Sequence, residues 1–226
     1  MTYLSRSLMR HVLKALEFWY ASGVVLFVCL TGCQTTHPIA DTFKSLVSHP
    51  KLERNPAYDY LVLEFNGRQA QMALGYRQWI QGRMVEHWYA GAEMLEMVDG
   101  RVHKAVGMTH EIRRNTGKPP RWEALASSAQ AVSWSRQLDL MPGYRFDMQE
   151  TVSSRTLSPS EALLLPDGLN ENLMWVRDDV QSQDAQGQPW NYVQLFALRG
   201  GRVVYSEQCI NEKLCMRFRL VAHTSP

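Results

Sequence analysis

The chain has 226 residues, with 24 Lys and Arg against 22 Asp and Glu, and therefore a formal charge of +2. That excess lies in residues 1–32, which hold three basic residues and one acidic residue, so the rest of the chain is formally neutral. A neutral chain without a cluster of Lys and Arg is a poor candidate for binding nucleic acid. The remaining length is sufficient to bury a hydrophobic core without stabilising crosslinks.

The N-terminus has the pattern of a secretory signal peptide. Arg6, Arg10 and Lys14 precede an apolar run that ends at Cys29. The run is about 12 residues long, whereas a helix needs about 20 residues to span a bilayer. An ordinary signal peptide or a membrane anchor is the alternative interpretation.

The apolar run is followed by Leu30-Thr31-Gly32-Cys33, which resembles a bacterial lipobox. By that resemblance, residues 1–32 are removed and Cys33 carries the lipid that holds the protein at a membrane. In Gram-negative lipoproteins, an Asp after this cysteine usually means retention in the inner membrane. Gln34 therefore favours the periplasmic face of the outer membrane.

After a polar tether of residues 33–40, the chain is rich in short strands with turn residues between them. In the first half, Asn66-Gly67 and Asp99-Gly100 are both typical of the two-residue turn of a β-hairpin. Residues 111–122 lack this pattern and include two consecutive prolines, and we expect them to form an irregular surface loop.

The second half shows the clearest period of two. Val132, Trp134, Leu138 and Leu140 alternate with polar residues, and the run 144–152 does the same. Such alternation predicts a half-buried antiparallel hairpin. We therefore predict an all-β fold for a single domain, 41–226, with halves 41–110 and 123–226 joined by the loop 111–122. The sheet would be an antiparallel meander forming a strongly curved sheet, half-barrel or sandwich, with a few short helices.

Two cysteines, Cys209 and Cys215, remain after Cys29 leaves with the signal peptide and Cys33 is lipidated. In an oxidising compartment we expect them to form a disulfide. The residues between them, 210–214, are predicted to be a hairpin loop whose base brings the cysteines together. Two reduced, buried cysteines are the alternative.

Several motifs of the chain resemble the YjbF/GfcB family of bacterial lipoproteins. The matching residues are Asp41-Thr42-Phe43, Ala73-Leu74-Gly75-Tyr76, Glu86-His87-Trp88-Tyr89, Met94-Leu95, Asp99-Gly100-Arg101-Val102 and Gly107-Met108. The resemblance implies an outer-membrane lipoprotein encoded with genes for capsule or exopolysaccharide secretion. It implies no catalytic residues, and the cysteine pair is not part of the family pattern.

The sequence contains no CxxC, HExxH or GxSxG motif, so we predict no metal, no cofactor and no enzymatic activity. Trp122 and Arg121, in the predicted loop, are the candidate contacts for a glycan or a partner of the secretion machinery. Asp178-Asp179 could serve a glycosidase only if carboxyls faced each other across a cleft, and a solvated strand end is the simpler interpretation.

Three functions follow from these observations. The first is a non-catalytic accessory factor in capsule or exopolysaccharide export or assembly, which binds a glycan or a secretion partner. The second is a periplasmic glycan-modifying enzyme, which would need two facing carboxylates. The third is a carrier of an acyl or lipid ligand, which would need a large apolar cavity enclosed by the sheet.

Overall fold

A computed structural model describes Asn55 and residues 57–162 and 173–222. The predicted signal peptide, the tether and Cys33 lie outside these residues. The strands are β1 (Tyr60–Phe65), β2 (Arg68–Ile80), β3 (Arg83–Ala90), β4 (Glu93–Val98), β5 (Arg101–Val106), β6 (Glu111–Thr116), β7 (Val132–Met141), β8 (Arg145–Thr156), β9 (Met174–Gln183), β10 (Pro189–Arg199), β11 (Arg202–Asn211) and β12 (Leu214–Val221). The helices of the described part are α1 (Trp122–Ser127) and α2 (Pro159–Ala162). Neither is long and apolar enough to cross a membrane.

Every strand pairs antiparallel with its neighbours in sequence, and β1 also pairs with β12, so that the sheet forms a closed barrel. The prediction of an all-β antiparallel meander is confirmed. Both residues of the Asn66-Gly67 and Asp99-Gly100 turns have positive φ, as a type I′ turn requires.

The predicted loop 111–122 is wrong for its first half, because Glu111–Thr116 forms β6 and pairs with β5 and β7. Only residues 117–121 connect this strand to α1. The apolar alternation was absent because the second inward-facing position of β6 holds Arg114 rather than an aliphatic residue. Ile112 and Arg114 are both buried, two residues apart.

One part of the barrel interior is a conventional apolar core. Its largest fully buried side chains include Trp88, Leu95, Met72 and Phe218. Side chains from β1 to β7 and from β11 and β12 contribute to this cluster. A smaller apolar cluster surrounds α1, where Trp122 and Leu125 pack with residues of β9 and β10.

The barrel is pinched, because its opposite walls β5 and β11 touch. Five strands separate them in either direction around the sheet. The Gln208 side chain of β11 accepts a hydrogen bond from the Val102 backbone N–H at 2.9 Å and donates one to the Gly100 carbonyl at 2.9 Å. One glutamine thereby satisfies two buried backbone groups of the facing wall.

Alternate turns of a meander lie at the same end of the barrel. The β2–β3 turn, the β4–β5 turn and the segment 117–121 therefore share one end. The start of β1 and the end of β12 lie at this end too. We call it the open end, because the cavity described below lies among these turns.

Candidate ligand-binding site

The interior near the open end is unusually polar. Arg136 follows Trp134 on the inward face of β7, and Glu150, opposite Arg136, and Ser154 lie on the inward face of β8. Asp178 of β9 and Arg101 of β5 complete the set, and all of these except Trp134 are buried. Buried charges persist only where they are paired or hydrogen-bonded, so this region must contain a connected network.

Arg101 and Asp178 meet across the interior, since β5 and β9 are separated by three strands in the closed sheet. Asp178 accepts from Arg101 Nε at 3.2 Å and Nη2 at 3.3 Å, and from the Ser154 hydroxyl at 2.6 Å. The guanidinium carbon of Arg101 also lies 3.7 Å from the centroid of the Trp122 ring. The two hydrogen bonds to the Asp178 carboxylate and the cation–π contact together fix the Arg101 side chain in one position.

A second cluster is built around Glu150. Its carboxylate accepts from Arg136 Nε at 2.6 Å and from the Tyr192 hydroxyl at 2.8 Å, while Arg114 Nη1 lies 3.6 Å away. At 3.6 Å, Arg114 and Glu150 form an ion pair but not a hydrogen bond. Two guanidinium groups therefore share a single carboxylate.

Burial shifts the ionisation of these groups in directions that follow from their partners. Burial, together with the nearby positive charge of Arg136, lowers the pKa of Arg114 to about 10. Burial also lowers the pKa of Arg101, although Asp178 opposes the shift. Burial alone would raise the pKa of Glu150, but Arg136 and Arg114 together hold it below its usual value of 4.5. Guanidinium groups stay protonated in proteins, and the lowered pKa of Glu150 keeps its carboxylate ionised at neutral pH.

A cavity of about 390 Å³ lies against this network at the open end. Arg101, Arg114 and Arg136 line its buried floor, and the half-buried Trp134 lies beside them. Exposed residues form its rim, among them Gln81, Lys118 and Arg121. Its volume is within the range of about 300–1,000 Å³ that is typical of pockets for small ligands.

The charge of the cavity is strongly unbalanced. Its lining contains no Asp or Glu among the described residues. Six Lys and Arg side chains line it, and three carboxylates behind the wall pair with them: Asp99, Asp178 and Glu150. The site therefore favours an anionic ligand.

Two arginines hold the rim segment 117–121 in place. Arg83 donates to the Pro119 carbonyl, and Arg121 Nη1 donates to the Gly82 carbonyl at 2.6 Å. These bonds join the segment to the β2–β3 turn, so the two sides of the rim are connected. The side of the cavity formed by this irregular segment is thus fixed by side-chain bonds to backbone.

The predicted contact residues Trp122 and Arg121 have different environments. Trp122 is not available at the surface as a glycan or partner contact, because the residue is 5 % exposed and its ring packs against Phe196. Its indole N–H donates to the Asp99 carbonyl at 3.0 Å. Position 122 begins α1, and the apolar face of that helix turns the ring inward. Arg121, one residue earlier, is exposed and lies at the cavity rim.

Cys209 and Cys215 form a disulfide between β11 and β12. They are directly opposite each other in the register of these strands. The expected five-residue loop between them is shorter than predicted, because β11 continues to Asn211 and β12 starts at Leu214. Only Glu212 and Lys213 form the turn, and this turn lies at the barrel end opposite the cavity.

Asp178 does not lie at a solvated strand end, as its sequence suggested. It is fully buried on the inward face of β9, whereas Asp179 points outward and pairs with Arg177. Sequence reasoning also missed Arg101, Arg114 and Arg136. The sequence signal that could have revealed such a residue is a charge where the period of two predicts an apolar side chain, as at Arg136 between Trp134 and Leu138.

Among the described residues, no group of three or more His, Cys, Asp or Glu side chains could hold a metal ion. The two buried carboxylates of the site, Asp178 and Glu150, are both engaged by arginines. A general acid for glycoside hydrolysis needs a raised pKa, and that of Glu150 is lowered.

Fold and site together define a closed antiparallel β-barrel with a cationic, ligand-sized cavity at one end. The chain belongs to the YjbF/GfcB family: the model of the family described as "Group 4 capsule polysaccharide lipoprotein gfcB, YjbF" matches residues 39–215. Membership of a lipoprotein family indicates a membrane-associated, lipid-anchored protein with a role connected to capsule polysaccharide.

The fold is similar to the crystal structure of the hypothetical lipoprotein YmcC from Escherichia coli K12. The TM-score is 0.58 at 16 % sequence identity, over 82 % of this chain and 97 % of that chain. At this identity the similarity concerns the fold alone. No curated protein matches the chain.

Proposed function

We propose that this protein is a non-catalytic accessory factor in the export or assembly of capsule or exopolysaccharide, and that it binds the polysaccharide in the cationic cavity. The lipid on Cys33 would anchor it at the periplasmic face of the outer membrane. The observation that carries the proposal is the cavity itself, in which an indole ring lies beside arginine side chains and above a rigid floor. Aromatic rings offer an apolar face to sugars, and fixed guanidinium groups donate directional hydrogen bonds.

The alternatives receive less support from the site. A glycan-modifying enzyme would need a pair of free carboxylates facing a cleft, and Asp178 and Glu150 instead neutralise arginines behind the cavity wall. A carrier of an acyl chain would need an empty apolar interior. The apolar part of this barrel is filled by almost completely buried side chains such as Trp88, Met72 and Phe218.

Binding is tested with the purified mature protein and capsular polysaccharide from the cell that makes it, by titration calorimetry. The informative variant is Lys118→Ala/Arg121→Ala, because both residues are exposed at the rim and neither is needed for the core. We expect it to bind at least about tenfold more weakly than the wild type. The matched control is Lys213→Ala/Arg219→Ala, which removes the same charge from exposed positions outside the cavity lining. Failure of the wild type to bind, or an equal loss in both variants, would reject the proposal.

The anchor is tested separately. Cys33→Ser should abolish labelling by radioactive palmitate and release the protein from the membrane fraction. Fractionation of the wild type between inner and outer membranes tests the proposed location. Labelling that persists in the variant would contradict the anchor, and recovery of the wild type in the inner membrane would contradict the location.

A further inference from the structure

Two arginines that line the cavity floor carry hydrogen-bond donors for which the described residues offer no acceptor. Arg101 is 4 % exposed, and its Nε and Nη2 atoms are committed to Asp178. Its Nη1 has no hydrogen-bond partner among the described residues. The Trp122 ring and Phe196, whose centroid lies 4.9 Å from the guanidinium carbon, prevent this side chain from turning elsewhere. A buried N–H of a cation without an acceptor is costly, so an acceptor in the cavity would stabilise it.

Arg114 repeats this arrangement on the next strand. It is 6 % exposed, and its Nε donates to the Val102 carbonyl at 2.5 Å. Its Nη1 also lacks a hydrogen-bond partner among the described residues, because Glu150 is too distant at 3.6 Å. Glu150 is already satisfied by its shorter bonds to Arg136 and Tyr192. The positive charge of Arg114 is therefore only partly compensated.

The two unused donors belong to strands that are adjacent in the sheet, and both side chains line the same cavity. A neutral sugar hydroxyl could accept one hydrogen bond but would leave the excess charge in place. A carboxylate or a phosphate has at least two acceptor oxygens and a compensating charge, which matches two guanidinium groups. The nearby ring of Trp134 offers a surface for the body of the ligand.

We infer that the cavity binds the acidic group, carboxylate or phosphate, of an anionic sugar residue between Arg101 and Arg114, with the sugar ring against Trp134. The assignment of the anion to a saccharide rests on the proposed function. The inference adds a selection rule: the protein distinguishes acidic from neutral units of a polysaccharide by charge rather than by sugar shape alone.

The test compares probes that differ in one acidic group. The aldobiuronic acid made of glucuronic acid linked β-1,4 to glucose is compared with cellobiose, which has the same rings and linkage without the carboxylate. Inorganic phosphate is the third probe. Calorimetry gives the affinities, and ¹⁵N spectra of the arginine side chains of the wild type report contact without any substitution. We expect the aldobiuronic acid to bind at least about tenfold more tightly than cellobiose. It should also shift the Arg101 and Arg114 signals, and phosphate should compete with it.

Arg114→Gln should remove the preference for the aldobiuronic acid over cellobiose. The variant should keep the fold, since Glu150 keeps its 2.6 Å bond to Arg136. Arg219→Gln, on the outer face of β12, is the charge-matched control and should keep the preference for the aldobiuronic acid. Equal affinity for the two disaccharides overturns the inference, as does an unchanged preference in Arg114→Gln. Binding of phosphate without either disaccharide would also overturn it, because the ligand would then not be a saccharide. Even if Arg114→Gln fails to fold, the arginine spectra of the wild type decide the outcome.

The native polysaccharide separates this inference from the proposed function. Chemical reduction of its carboxyl groups, or enzymatic removal of its phosphates, should weaken binding at least about tenfold if the inference holds. Undiminished binding of the treated polymer would overturn the inference and leave the proposed function standing. Absence of binding by the untreated polymer would reject the proposed function, whatever the disaccharides do.

Discussion

Gly100 and Val203 are in close contact across the barrel: a Cβ atom at position 100 would lie 2.6 Å from the Cβ of Val203. Gly100 also has φ of +78°, which disfavours any residue with a side chain. The glycine that completes the β4–β5 turn is thus also the residue that lets β11 approach the opposite wall. The same approach allows Gln208 to reach the backbone of β5.

The pinch can be tested by adding one methyl group. Gly100→Ala should lower the free energy of unfolding by about 2–4 kcal/mol, because backbone strain and overpacking combine. Gly67→Ala is the matched control, since Gly67 has φ of +72° in another two-residue turn but no atom within 4 Å of its added Cβ. Gly67→Ala should lower the free energy of unfolding only by the backbone strain, about 1 kcal/mol. Urea denaturation measures both, and equal losses would contradict a close contact at Gly100.

Asp178 and Asp179 are neighbours in sequence with opposite environments. Asp178→Asn should destabilise the protein by about 3–5 kcal/mol, because Arg101 would remain buried without a counter-charge. Asp179→Asn removes an exposed pair with Arg177 and should cost less than about 1 kcal/mol. Thermal and urea unfolding of the two variants are compared. Similar costs would mean that the Arg101–Asp178 pair does not support the folded state.

Glu150 should make stability depend on acidic pH. Burial alone would raise its pKa, but Arg136 and Arg114 lower it in the folded state relative to the usual 4.5. A carboxylate with a lowered pKa stabilises the fold above its unfolded pKa, and this contribution is lost as pH falls through the folded one. The midpoint of urea unfolding should therefore decrease below about pH 4.5.

The Glu150→Gln variant isolates this contribution. It should be less stable at pH 7, since two buried arginines lose their counter-charge, and its stability should change less between pH 6 and pH 3. Glu123→Gln, an exposed change in α1, should keep the pH profile of the wild type. If Glu150→Gln retains the full acid dependence, other carboxylates cause it.

The disulfide should contribute modestly. Replacing both Cys209 and Cys215 with Ala should cost about 2 kcal/mol by the chain-entropy estimate for a short loop, and leave the fold in place. Dichroism and urea denaturation measure these effects. Mass spectrometry of the unreduced, alkylated protein provides the direct check. Recovery of two alkylated cysteines from the native protein would refute the bridge.

The fold class could be predicted because each hairpin carries its own local signals. The Asn66-Gly67 and Asp99-Gly100 turns and the period of two in residues 132–140 are properties of adjacent residues. The closure of the sheet was harder to predict from the sequence, since the pairing of Tyr60 with Val221 joins residues near the two ends of the domain's sequence. β6 was missed because its inward-facing Arg114 hides the alternation.

The site was harder to predict than the fold, for a physical reason. Arg101, Arg136 and Asp178 lie on β5, β7 and β9, which do not pair with one another. Their meeting depends on the registers of all the intervening hairpins and on the approach of opposite walls. The sequence shows Arg136 and Asp178 alternating with apolar residues, but which charges are partners is decided only when the barrel closes.

Closure by β1 and β12 has a consequence for the order of folding. β1 finds its second partner only when β12, the last strand, is available, and the pairs Tyr60–Val221 and Glu64–Arg217 join residues very distant in the chain. Contacts of such long range make folding slow. Until β12 is in place, β1 and β11 each present an unpaired strand edge, which is a template for association with other chains. The newly made protein is therefore most prone to aggregation in the interval before its last strand completes the circle.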